Sequence, residues 1–280
     1  MNSLETLILW LTVVSLMVLF GFVSARKAQR VLPLFAAYSC MLLTSAISVC
    51  FVYKVFGFRS LAAYYCYWIS VLLNAGMRSV AIGELCRYKL RAYPGIWGLC
   101  WRLLTGFSIL FLLHALIDTW GQPDRLAIYS LTLDRDLDIA SVAILAALLL
   151  IHNYYGLSLE PLQRTIAAGI FFVCATDVIS NTILRGFYTG YLFPFFAANR
   201  TSLWFALKPY FDRINDIWSV IHLICFLTSI GIWCYALRKP VPAQGEAPEL
   251  LPAEVYRELS PAINMRLATF NERLVDLLRP

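Results

Sequence analysis

Polar side chains recur four residues apart inside stretches of this chain that are otherwise apolar. Asn74 and Arg78, His114 and Asp118, and Asp177 and Asn181 would each share a helix face, and Asn215, Ser219 and His222 would follow one stripe. Histidine titrates near neutral pH, and beside carboxylates it can also ligate a metal such as zinc. Counted at 1.5 Å of rise per residue, His114, Asp177 and His222 come nearly level toward one end of their helices. The expected pocket therefore comprises Asp177, Asn181, His114 and His222, with Asn74 as a polar neighbour and Asp118 and Asp216 at its mouth. Its ligand would be a small molecule or a proton. His114, His222 and Asp177 are weak candidates for metal ligands, and neither a metal nor a cofactor is expected. The plainer alternative is that these groups cap helix ends and hydrogen-bond between helices.

The elements that must position these residues are long and apolar. The hydrophobic fraction is 60%, charged residues make up 14%, and the mean hydropathy is +0.69, whereas soluble domains are about 25% charged. About 20 apolar residues suffice for a helix to span a bilayer. Stretches of that kind lie at about 4–24, 31–53, 61–84, 96–117, 137–156, 164–184 and 215–237. The alternating segments of a closed barrel are missing. The expected fold is an all-α membrane bundle of seven transmembrane helices over residues 1–237, followed by a Pro-rich cytoplasmic linker (238–259) and a short C-terminal amphipathic helix (260–280).

Charge sets the expected orientation. Arg26, Lys27 and Arg30 follow the first span, Arg87, Lys89 and Arg91 the third, and Arg238 and Lys239 the seventh. The positive-inside rule then puts the N-terminus outside and the C-terminus in the cytoplasm of a multi-pass protein of the cell membrane. The first apolar stretch has no basic segment before it and is not expected to be a cleaved signal peptide. Counted from the outer ends, Arg78 lies about 15 Å deeper than Asp177. It is expected to reach toward the inner headgroups, without pairing with Asp177. Asp134, Arg135, Asp136 and Asp138 are expected to form a solvated helix start. Residues 187–211 carry ten aromatic side chains, from Phe187 to Phe211, and are expected as an outer loop at the membrane interface, an anchor or a lid. The sequon Asn199-Arg200-Thr201 lies within it.

In the tail, Ser260 and Pro261 read as a helix start, and Ile263, Leu267, Phe270, Leu274 and Leu277 form a 4-3-4-3 seam. So short a helix needs an apolar partner. Its own copy in a homodimer, a partner protein, the inner face of the bundle and the membrane surface are the alternatives. The bilayer is the other expected partner. The net charge of +6 forms no basic stripe, so no nucleic acid is expected. Seven of the eight cysteines fall in spans and none forms a CxxC pair, which makes them packing residues.

No catalytic residue is expected. HExxH, GxSxG and paired Asp-rich motifs are absent, and His114 and Asp118 miss the His-x4-Asp spacing of glycerolipid acyltransferases. The seventh span lacks the lysine a microbial rhodopsin needs. Cys86-Arg87-Tyr88 echoes class A G-protein-coupled receptors, but Glu84 is displaced and no Asn-Pro-x-x-Tyr follows. Over residues 1–237 the layout resembles the seven-helix membrane input modules of bacterial sensor proteins, and bacterial proteins that carry such a bundle alone. That resemblance is one of architecture and implies a bundle that senses a signal and passes a shift to its C-terminal helix. The expected function is that of a small sensory, ligand-binding or scaffolding bundle, with a secondary transporter and, further off, a membrane-embedded lipid-modifying enzyme as the alternatives.

Overall fold

The computed structural model describes residues 3–57, 60–90, 94–121, 125–155, 161–187 and 201–238, together with 272, 273 and 276 of the tail. Among them there are seven long helices and no strand: α1 (Ser3–Ala25), α2 (Pro33–Phe56), α3 (Leu61–Leu90), α4 (Pro94–Asp118), α5 (Arg125–Tyr155), α6 (Pro161–Phe187) and α7 (Thr201–Ala236). Three of the helices begin on proline, whose missing N–H costs nothing in the first turn. Gly57 stops α2 with a positive φ of 83°, a backbone conformation that glycine adopts without a Cβ penalty. One 3-10 turn, Ala28–Arg30, joins α1 to α2.

Six of the helices are long and apolar enough to cross a membrane: Thr6–Ala25, Pro33–Phe56, Leu61–Tyr88, Trp97–Asp118, Pro161–Ile183 and Ser219–Ala236. The exception is α5, which begins at Arg125, well before the expected start near 137. Its first half is polar because it is packed on several sides. Ser130, Thr132, Asp134, Asp136, Asp138 and Ser141 are all buried. A buried polar group needs a protein partner, and these face neighbouring helices instead of the outside. Asp134 to Asp138 therefore lie inside the packed bundle, and the expected solvated helix start is corrected. The expected aromatic loop is corrected in part: residues 201–211 belong to α7, and 188–200 lie outside the described residues, the sequon's Asn199 and Arg200 included.

The helices form a ring, α1–α2–α3–α5–α6–α7 and back to α1, with α3 also touching α6 and α4 packed outside against α3 and α5. The main core fills one end of this ring. It gathers Leu16, Leu19 and Val23 of α1, Phe35 and Tyr38 of α2, Ile82 and Leu85 of α3, Ile166 and Ile170 of α6, and Trp233 of α7. Trp233 is fully buried, donates Nε1–H to the Ile166 carbonyl at 3.2 Å, and meets Phe35 and Tyr38 edge-on. Its indole lies directly over Gly169, where any Cβ would overlap it. The close approach of α6 to α7 thus depends on a residue with no side chain.

Helix α3 also closes two helix ends across the bundle. The Glu84 carboxylate accepts from the Leu34 N–H (3.0 and 3.1 Å) and the Phe35 N–H (2.9 Å), satisfying first-turn donors of α2 that have no local side-chain cap. At its other end, the Tyr64 hydroxyl accepts from the Ala127 N–H at 3.2 Å in the first turn of α5. All eight cysteines are free thiols, and Cys86 and Cys174 belong to the core.

Candidate functional site: one arginine among three aspartates

Four-residue spacing assembles the centre of the bundle. Asp134 and Asp138 project from one face of α5, Asp177 and Asn181 from one face of α6, and Arg78 from α3 enters between them. Arg78 is 6% exposed. Its Nη1 donates to Asp177 Oδ2 at 2.6 Å, and its Nη2 donates to Asp134 Oδ1 at 2.6 Å. Asp138 Oδ1 lies 2.7 Å from the same Nη2 as an ion pair. That contact lies off the N–H direction, so Arg78 gives the fully buried Asp138 an ion pair without a hydrogen bond, and only the Cys174 thiol is left beside it as a weak donor among the described residues. Asn181 completes Asp134 by donating Nδ2–H to its Oδ2 at 2.7 Å. Here one cation faces three carboxylates.

The expectation that Arg78 and Asp177 stay apart is overturned. Their axial separation was overcounted because α6 continues to Phe187. The remaining offset is covered by the long arginine stem, which here turns into the bundle. A guanidinium inside an apolar helix must find carboxylates, and Asp134 and Asp138 become available once α5 is extended back to Arg125. The missed signal was their four-residue spacing, which matches that of Asp177 and Asn181.

The other expected pocket residues divide into groups. His222, half exposed, puts Nδ1 3.7 Å from Asp177 Oδ1, so Asp177, Asn181 and His222 do come together around Arg78. Asn74 turns toward α2 and accepts from Ser45 Oγ at 3.3 Å. His114 pairs through Nδ1 with Asp136 Oδ2 at 2.7 Å, and Asp136 also accepts from Arg135 Nη2 at 2.7 Å. Asp136 projects about 160–200° around α5 from Asp134 and Asp138, by the 100° turn per residue of a helix. His114 therefore belongs to a separate cluster on the α4 side. Asp118 lies there too, accepting from Thr132 Oγ1 at 3.3 Å. Asp216 is carried on α7, but its side chain, like that of Asn215, lies outside the described residues. So does the tail seam of Ile263, Leu267, Phe270, Leu274 and Leu277.

Asp134, Asp138 and Asp177 bring one oxygen each to within 4.8 Å of one another, a spacing a metal could use. The guanidinium already lies among them and hydrogen-bonds two of the three, so the cluster has its cation. The weak metal set of His114, His222 and Asp177 is not assembled, since His114 faces Asp136. Chemically, the arrangement can hold charge, exchange a proton and change the pairing of three helices. Comparison with protein-family models, curated proteins and solved structures returns no match.

Proposed function

We propose that this chain is a multi-pass membrane protein whose seven-helix bundle works as a sensory or ligand-binding module, with its N-terminus outside and its C-terminal segment in the cytoplasm. Six apolar helices long enough to span a bilayer support the membrane reading, and α5 would cross as the protected seventh. The outward faces are apolar, as lipid requires. On α4 they include Trp101, Phe107, Leu110 and Ile117. Arg26, Lys27, Arg30, Arg87 and Arg238 fall at the same end of the alternating helices, which supports the orientation.

The observation that carries the functional reading is the Arg78 cluster. Ionised groups are expensive at membrane depth and mark functional sites by default. This one ties α3, α5 and α6 together at single side chains, with His222 of α7 beside it. A change of charge in it alters how those helices pair, which is how such a bundle would signal to its tail. The helices α1 to α7 run without a break through their described residues, whereas transporter sites are typically built on interrupted helices.

The test is to reconstitute the chain in liposomes and follow protease protection of residues 240–280 while pH and soluble extracts are varied. Protection that changes in the parent, and no longer changes in Asp177→Asn, is the expected result. Unchanged protection together with solute movement across the vesicles would assign the bundle to transport instead.

A further inference from the structure

We infer that the Arg78 cluster is a proton-binding site in which Asp138 carries the proton and exchanges it with the surface by way of Asp177 and His222. The inference deepens the sensory reading, and rests on it only for the use made of the proton.

Charge counting comes first. Three carboxylates face one guanidinium, an excess of two negative charges; the partly exposed Asp177 can share one with His222 when that ring is protonated, but the fully buried Asp138 has no cation other than Arg78 bonded to it among the described residues. A buried charge must be paired or neutralised, and a proton is the smallest means of doing so.

Geometry then selects the carboxylate. Arg78 has two terminal nitrogens, one hydrogen-bonded to Asp177 and the other to Asp134. Asp134 is further satisfied by Asn181. Asp138 is the third acid at a two-place donor, fully buried, with no N–H or O–H donor on either oxygen and only the weakly donating Cys174 thiol beside it among the described residues. A proton there leaves Arg78 facing two carboxylates, one on each nitrogen. Asp138 is faced by Arg78 from α3, Asp134 from its own helix, and Asp177 and Cys174 from α6. Tyr38 of α2 feels the same charges, and His222 of α7 stands next to Asp177.

The exit follows from exposure. His222 is the half-exposed titratable member of the group, and its Nδ1 faces Asp177 Oδ1 at 3.7 Å. The proton passes from the Asp138 carboxyl to the Asp177 carboxylate, then to the imidazole nitrogen, and from there to water. Asp138 is left as carboxylate and competes for Arg78.

Infrared spectroscopy of the full chain in vesicles of ether-linked lipids, which carry no ester carbonyl, tests this directly, since a protonated carboxyl has a C=O stretch that a carboxylate lacks. The parent should show such a band at neutral pH, shifting slowly on transfer to D2O. Asp138→Asn should lose it, Asp118→Asn should keep it, and His222→Gln should keep it while slowing its deuterium shift several-fold. Absence of the band from the parent overturns the inference without reference to any variant, and so does its persistence in Asp138→Asn. A metal ion retained stoichiometrically by the parent and lost in Asp138→Asn would also overturn it, by replacing the proton with a cation. A band that behaves as expected while tail protection never changes would end the sensory reading and leave the proton site standing.

Discussion

At the residue scale, what decides the behaviour of this molecule is whether a charged side chain has its partner. Glu84 is a clear case, because it completes the first turn of α2 from another helix. Replacing it with glutamine keeps one acceptor but removes the charge that favours a helix N-terminus, for an expected loss of about 1 kcal/mol. Glu84→Ala leaves both donors, one exposed and one partly buried, without their acceptor and should cost more, about 1–3 kcal/mol. Thermal unfolding of both variants in one detergent checks the order. That Asp177 and Asn181 share a face is legible in the sequence because helical spacing is visible in residue numbers, and counted depth along two helices puts His222 level with Asp177. Their joining to Arg78 is not legible there, since depth depends on where helices begin and Asp134 to Asp138 read as a solvated helix start. The sequence also suggests a convergence of His114 with Asp177 that α5 prevents by standing between them.

At the scale of elements, the contact between α6 and α7 is the most sharply defined. Gly169→Ala would force its methyl into the Trp233 indole and should destabilise the bundle by about 1–3 kcal/mol, as overpacking does. Trp233→Phe gives up the bond to the Ile166 carbonyl but leaves room, so the double variant Gly169→Ala with Trp233→Phe should lose less than the sum of the two single changes. Strict additivity in a melting series would contradict this packing. Four of the seven helices, α1, α2, α4 and α6, were legible to within about three residues because an apolar run and its Pro or charged flanks mark both ends. The starts of α5 and α7 were missed by more than ten residues. Apolarity locates the part of a helix that faces lipid, and both of these helices begin in polar or aromatic-rich sequence. The C-terminal end of α3 lies six residues beyond the apolar run, since the helix continues through charged residues to Leu90.

At the scale of the whole molecule, the account is a ring of helices closed at one end by an apolar core and joined at its centre by charge. The proposed orientation predicts labelling from opposite sides. With the eight native cysteines replaced, Ser3→Cys should react with an impermeant maleimide added outside intact cells, and Glu272→Cys only after the cells are opened. The reverse pattern would invert the topology. The central claim, that Arg78 and its aspartates form one coupled unit inside the bundle, is tested most directly by a mutant cycle read as unfolding stability. Arg78→Gln alone should cost about 3–5 kcal/mol, because it leaves the Asp134 and Asp177 carboxylates without their cation inside the bundle. Adding Asp134→Asn and Asp177→Asn to it should restore most of that loss, since the charges the arginine balanced are then gone. If the losses instead add, or if Arg78→Gln alone is as stable as the parent, the charged centre described here does not hold this bundle together.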